Sequence, residues 1–127
     1  MKYRLVVKKD PMRNMEEKFY ANAVKLGTKD IFDIADLISG RSSLTRGDIL
    51  NVLSNFLDEV PPLLRDGFSV QLGELGTLRI TLASNGAATK KEFHAESIKP
   101  RVIFRPSARF MKRISDNHYE AESKKKE

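Results

Sequence analysis

An α+β fold is predicted by three observations: strand-like alternation at Met1 to Lys9, a long amphipathic helical stripe from Ile49 to Leu63, and renewed alternation from Thr77 to Arg105. With 127 residues the chain suits one domain, or one domain with an appendage, because two separate cores would each be thinly covered. Lys and Arg number 23 against 17 Asp and Glu, and the resulting +6 favours polyanions, nucleic acid first among them. Hydrophobic residues at 40% and charged residues at 31%, spread through the chain, fit a soluble globular protein. The absence of Cys removes disulfides, thiolate nucleophiles and sulfur-ligated metals. No apolar run is long enough for a membrane span, and Met1 to Asp10 lacks a secretory apolar region, so the expected address is the reducing cytoplasm.

In the first strand Tyr3, Leu5 and Val7 lie on one side and Lys2, Arg4 and Lys8 on the other, the period of a half-buried strand. Asp10-Pro11 breaks it, and Met12 to Lys18 is too polar to place. Phe19 to Leu26 reads as a second strand, although a helix fits nearly as well. Gly27 closes it, and Thr28 or Asp30 caps a short helix that turns Ile31, Ile34, Leu37 and Ile38 inward and ends at Gly40. Thr45-Arg46-Gly47-Asp48 resembles a capping box with Asp in place of Glu. Behind it Ile49, Leu53, Phe56, Val60 and Leu63 recur at spacings of 4, 3, 4 and 3, with Leu50, Leu57 and Leu64 widening the stripe. One small sheet does not cover so much apolar surface, so a second subunit is expected there; the alternative is a helix buried wholly by its own chain. Pro61-Pro62 is expected to kink or restart this helix.

Phe68 to Leu72 and the two-glycine turn Gly73-Glu74-Leu75-Gly76 lead into a strand with Leu78, Ile80 and Leu82 on one face and Thr77, Arg79 and Thr81 on the other. Ala83 to Ser97 is an exposed excursion, with Asn85-Gly86 as a hairpin-type turn and Thr89 to Glu92 as a one-turn helix start. The returning strand sets Ile98, Pro100, Val102 and Phe104 against Lys99, Arg101, Ile103 and Arg105. Pro106 is placed in the first turn of a last helix whose Arg109, Lys112 and Arg113 share a face opposite Phe110, Met111 and Ile114. From Asp116 a polar, frayed tail ends in Lys124-Lys125-Lys126-Glu127.

Between Lys99 and Arg113 stand six basic residues and no acid, so the surplus of the whole chain is local. Lys99, Arg101 and Arg105 fall on one strand face by period 2 and Arg109, Lys112 and Arg113 on one helix face. Arg79 would join them from the neighbouring strand. Such a patch holds phosphates by charge and counterion release.

Two motifs then resemble the HU/IHF-type bacterial histone-like DNA-binding proteins, specifically the longer HU-related branch with an N-terminal extension. Glu74-Leu75-Gly76-Thr77-Leu78 is similar to the family's Gly-Phe-Gly-Thr-Phe turn into a strand. Phe104-Arg105-Pro106-Ser107-Ala108-Arg109-Phe110-Met111-Lys112 is similar to its Phe-x-Pro-Gly-x-x-Leu signature opening the last helix. The resemblance covers roughly Asp30 to Ser115. It implies an intertwined homodimer with a helical body, a β-saddle carrying double-stranded DNA, and two projecting β-arms. It divides the chain into an extension over 1–29, an HU-like DNA-binding domain over 30–115 with its arm at 83–97, and a flexible tail over 116–127. The expected dimer interface is Leu53, Phe56, Leu57, Val60 and Phe104; the expected DNA contacts are Arg79, Lys90, Lys91, Lys99, Arg101, Arg105, Arg109, Lys112 and Arg113. The family implies a nucleoid-associated role in DNA condensation.

The departures are specific. The family's arm carries an Arg-Asn-Pro-x-Thr-Gly tip whose proline wedges between base pairs, whereas Ala83 to Ser97 has no proline and Thr81 to Ala88 no positive charge. Lys90, Lys91 and His94 remain as arm contacts, and Phe93 as a wedge or base stacker. Glu74 and Ser107 replace glycines. Weaker bending is expected. An enzyme is disfavoured, since His94 and His118 stand far apart without ligand-spaced partners and Asp33 with Asp36 reads as a solubilising pair. Gly73 and Gly76 do not match a phosphate-binding Gly-rich loop. No metal, cofactor or small-molecule substrate is expected. The rival from another class is a dimeric scaffold that keeps the HU-like fold and binds an acidic protein.

Overall fold

The computed structural model describes residues 1–123. Its elements run β1 (Lys2–Asp10), β2 (Glu16–Ala23), α1 (Ile31–Gly40), α2 (Arg46–Arg65), β3 (Val70–Gln71), β4 (Gly76–Ala83), β5 (Lys99–Pro106), α3 (Ala108–Ser115) and β6 (Glu120–Ala121). They fall into two compact units, Lys29–Arg113 and Met1–Thr28 with the chain from Ile114, so the division lies inside α3.

The N-terminal unit is a sheet of order β2-β1-β6. β1 and β2 pair antiparallel from Tyr3 opposite Ala23 to Asp10 opposite Glu16. The turn takes Asn14 and Met15 to φ of 55° and 59° and is held by the Met15 N–H on the Asp10 carbonyl at 3.0 Å. The segment left open between strand and helix is therefore a strand, begun three residues earlier because Glu16, Glu17 and Lys18 each find a register partner on β1. The expected buried side is only partly so: Tyr3 is half-buried, but Leu5 and Val7 are exposed, facing Ala21 and Phe19 across an uncovered sheet face. The frayed tail is corrected in part. Glu120–Ala121 pairs parallel with Lys2 and Tyr3, and Glu122 receives two bonds from the Arg4 guanidinium at 2.6 and 3.0 Å. That hydrogen bonding, with the carboxylate's charge, holds the Arg4 guanidinium above its usual pKa. Lys124 to Glu127 lie outside the described residues.

In the second unit Asp30 caps α1 through a reciprocal box, its carboxylate accepting from the Asp33 N–H at 2.9 Å while Asp33 accepts from the Asp30 N–H at 3.0 Å. Thr45 caps α2 by accepting from the Asp48 N–H at 3.2 Å. α1 packs on α2, and α2 on β3 and β4. Among the described residues the buried hydrophobic ones are Ala35, Ile49 and Leu64. Of the residues expected to turn inward from α1, Ile31 and Ile38 are half-buried. Ile34 is exposed, and Leu37 is 69% exposed, because among the described residues α2 is the element that packs substantially on this helix. The expected restart at Pro61-Pro62 does not occur: α2 is one helix to Arg65. Both prolines sit near its end, and the final turn closes through the Asp66 N–H on the Pro62 carbonyl at 3.0 Å and the Phe68 N–H on the Leu63 carbonyl at 3.1 Å.

β3, β4 and β5 form the second sheet in that order. Gly76 opens β4 at φ 150°, and a Cβ there would stand 2.8 Å from the Phe104 ring and 2.9 Å from the Pro106 Cα, with the Arg105 carbonyl oxygen closer still. Only glycine admits β5 at this distance. The arm is a correction as well. Between Ala83 and Lys99 there is no strand; two 3-10 turns, Lys90–Glu92 and Ala95–Ser97, take its place, and Asn85-Gly86 does not close a hairpin. Thr89 caps the first turn, as expected, by accepting from the Glu92 N–H at 3.3 Å. The Ser97 hydroxyl ties the limbs, accepting from the Asn85 N–H at 3.3 Å and donating to the His94 carbonyl at 2.8 Å. Pro106 ends β5 rather than entering the last helix, and the Ser107 hydroxyl caps α3 by accepting from the Phe110 N–H at 3.0 Å.

Candidate nucleic-acid interface

The antiparallel register of β4 and β5 decides which side chains share a face. Leu78, Ile80 and Leu82 stand opposite Phe104, Val102 and Pro100, which makes one face apolar. On the other, Thr77 meets Arg105, Arg79 meets Ile103, Thr81 meets Arg101 and Ala83 meets Lys99. Arg79 therefore sits diagonally between Arg101 and Arg105, at positions about 7–8 Å apart in antiparallel sheets. Arg79, Lys99, Arg101 and Arg105 are all exposed, and none forms an ion pair with a carboxylate among the described residues. Four positive charges without a neutralising partner on one side of a two-strand ribbon attract an extended anion rather than a point ion.

The other expected contacts are distributed differently. Lys90 and Lys91 are exposed on the first 3-10 turn, in the segment that leaves at Ala83 and returns at Lys99. Arg109, Lys112 and Arg113 lie on α3, all exposed. Arg109 is not available in full, because the Glu74 carboxylate lies 2.7 Å from its Nη1. The acid-free run from Lys99 to Arg113 hid this partner, which comes from the turn before β4. The same turn anchors α3: the Ser107 hydroxyl donates to the Glu74 carbonyl, and the Ser107 N–H to that of Leu75 at 3.2 Å. Phe93, 40% exposed, follows directly on the lysine-bearing turn.

Among the described residues no group of three or more His, Cys, Asp or Glu could hold a metal ion, and no helix is long and apolar enough to cross a membrane.

Residues 1–121 match the family model described as an HU domain fused to a wHTH, Ig or glycine-rich motif, HU-HIG. The chain belongs to the HU-HIG family. No curated protein matches it. Among solved structures it is similar to a crystal structure from Bacteroides vulgatus of a protein named for an inferred DNA-binding role, with a TM-score of 0.66 at 17% sequence identity. The similarity covers 94% of this chain and 47% of the other, so the chain spans about half the length of that structure. At this identity the comparison speaks for the fold, a mixed α+β arrangement of HU type. The HU-HIG match also takes in the N-terminal hairpin, which the two motifs do not reach.

Proposed function

We propose that this HU-HIG chain is an architectural, nucleoid-associated DNA-binding protein that acts as a homodimer in the cytoplasm. It holds the phosphate backbone and minor groove of double-stranded DNA with little sequence preference. The observation that carries this reading is the single face of β4 and β5 bearing Arg79, Lys99, Arg101 and Arg105 without carboxylate partners among the described residues. In this reading these cations meet phosphates, and backbone contacts fix register without carrying sequence information, so binding distinguishes duplex from solvent rather than one sequence from another. Lys90, Lys91, Lys112 and Arg113 extend the contact in this reading, and Arg109 contributes less because Glu74 competes for it. Membership of the HU-HIG family and the inferred role of the Bacteroides vulgatus protein point the same way.

Dimerisation is supported by what one chain leaves wet. Phe56 and Leu57 on α2 are 46% and 56% exposed, Leu53 and Val60 are half-buried, and Phe104 is exposed on the apolar side of the sheet. A second copy laid against these residues buries a stripe that a lone subunit exposes. With no proline and no strands between Ala83 and Lys99, bending in this proposal is weaker than a wedging arm gives, and Phe93 is the apolar side chain placed to take part. No cofactor, metal or small molecule is needed.

The test is titration with random-sequence duplex at several salt concentrations. If the four sheet residues each neutralise one phosphate, log K against log salt falls with a slope of about 3.6 per subunit. Absent or salt-independent binding overturns the reading and favours the rival, a scaffold for an acidic protein.

A further inference from the structure

Among the described residues β6 pairs with Lys2 and Tyr3 and Glu122 reaches Arg4, and beyond Arg4 the N-terminal sheet is a two-stranded ribbon. The register places Lys8 directly opposite Lys18. On the same face, toward the root, come Val6 opposite Tyr20 and Arg4 opposite Asn22; toward the turn come Asp10 and Glu16. The Lys8 ammonium stands 5.6 Å from the centre of the Tyr20 ring. Both lysines are exposed, and neither forms an ion pair among the described residues. Of the nearby carboxylates, Asp10 accepts from the Met12 N–H at 2.9 Å and faces Arg13 at 4.0 Å, Glu122 is taken by Arg4, and Glu17 pairs with Lys9 on the opposite face at 3.9 Å; Glu16, exposed on the same face two residues before Lys18, lies within 4.0 Å of neither lysine's ammonium.

Like charges directly opposite each other destabilise a strand pair. The ribbon nevertheless keeps two cations side by side, next to an aromatic ring, where one anion between them would turn repulsion into two charge-assisted bonds. A two-stranded ribbon is also of a width that a DNA groove admits. We propose that Lys8 and Lys18 form a second phosphate site, on the N-terminal hairpin, that takes a backbone phosphate of double-stranded nucleic acid. The proposal rests on the duplex-binding reading above but uses none of the residues of the β4–β5 face.

The experiment compares the full chain with its Lys8→Gln/Lys18→Gln variant. One phosphate fewer flattens the salt slope by about 0.9, and over the decade from about 1 M to about 0.1 M salt this amounts to about eightfold weaker binding. Tm stays the same or rises, because the repulsion is gone. Lys9→Gln, on the other face, leaves affinity unchanged. Wild-type affinity and slope in the double variant overturn this site while leaving the β4–β5 reading standing; a wild-type chain that ignores duplex altogether sinks both. Acetylation of Lys8 and Lys18 should be slowed by saturating random-sequence duplex and not by inorganic phosphate or polyglutamate at equal charge concentration. Equal protection by inorganic phosphate, or protection by polyglutamate alone, overturns the assignment to nucleic acid.

Discussion

The Glu74 carboxylate closes an ion pair on Arg109 at 2.7 Å, joining the turn before β4 to the first turn of α3. Both side chains are largely exposed, so the pair adds little to stability. Its consequence is for charge: a carboxylate beside the basic surface competes with any phosphate for the same guanidinium. Glu74→Gln should therefore tighten duplex binding, by up to about eightfold near 0.1 M salt with a slope about 0.9 steeper, since one more phosphate can be neutralised. A titration showing unchanged affinity and slope would place Arg109 outside the contact.

Arg101 and Arg105 stand on one face of β5 with Arg79 diagonally between them on β4. Replacing both by Ala removes about two phosphates and flattens the slope by about 1.8. The loss should be nearly uniform across unrelated duplex sequences, because neither side chain is required to read a base edge. Affinity lost for one sequence and kept for the others would contradict backbone contact.

What was legible in the sequence follows the range of the forces involved. Thr45 as a cap and the stripe from Ile49 to Leu63 are set by neighbours within a turn or two, and the α2 they imply is present. Alternation from Thr77 to Arg105 fixed the phase of β4 and β5, so Leu78 and Phe104 share one side and Thr77 and Arg105 the other. Pairing between distant segments was not legible. Glu74 meeting Arg109, Glu120–Ala121 adding to β1 and Glu122 meeting Arg4 all depend on where the chain returns. The segment between Ala83 and Lys99 misled for a different reason: Asn85-Gly86 is a hairpin signal only when alternating limbs flank it, and Ser84 to Ser97 supplies none.

Gly76 should be the least replaceable turn position in the chain. Gly76→Ala puts a Cβ into the Arg105 carbonyl oxygen and the Phe104 ring at a φ of 150° that L-residues rarely adopt. A cost of about 2–4 kcal/mol combines backbone strain with the displacement of β5. It should appear as a lower denaturant midpoint at unchanged m-value, together with weakened DNA binding as Arg105 shifts. Gly86→Ala, which meets open space, is the matched control and should be silent in both assays.

Acid should loosen α1 before it affects the sheet face. The hydrogen bond donated by the Asp30 N–H favours the ionised form and holds the Asp33 carboxyl below the usual Asp range. A lowered folded-state pKa contributes stability that is present above the unfolded value and lost as pH falls through the folded one. Asp33→Asn removes this titration while keeping an oxygen that can accept from Asp30. Melting curves of the two proteins should therefore differ at neutral pH and converge on acidification below the ordinary Asp range. A difference that persists at low pH would assign the effect to packing instead.

Phe56 offers the most direct test of subunit pairing. Within one chain its ring is 46% exposed, so a Phe56→Ala change in an isolated subunit should cost far less than the removal of a buried ring. Full burial in a dimer raises that cost to about 3–5 kcal/mol, which is about 150-fold to about 4,000-fold in the dimer dissociation constant for each ring lost. Sedimentation equilibrium across a range of concentrations separates the two cases: the wild type should remain paired at concentrations where the variant dissociates, and the variant's Tm should rise with concentration. A wild type that is monomeric throughout, with a Tm unmoved by the substitution, would remove α2 from any interface. The salt slope of DNA binding would then fall to that of a single β4–β5 face.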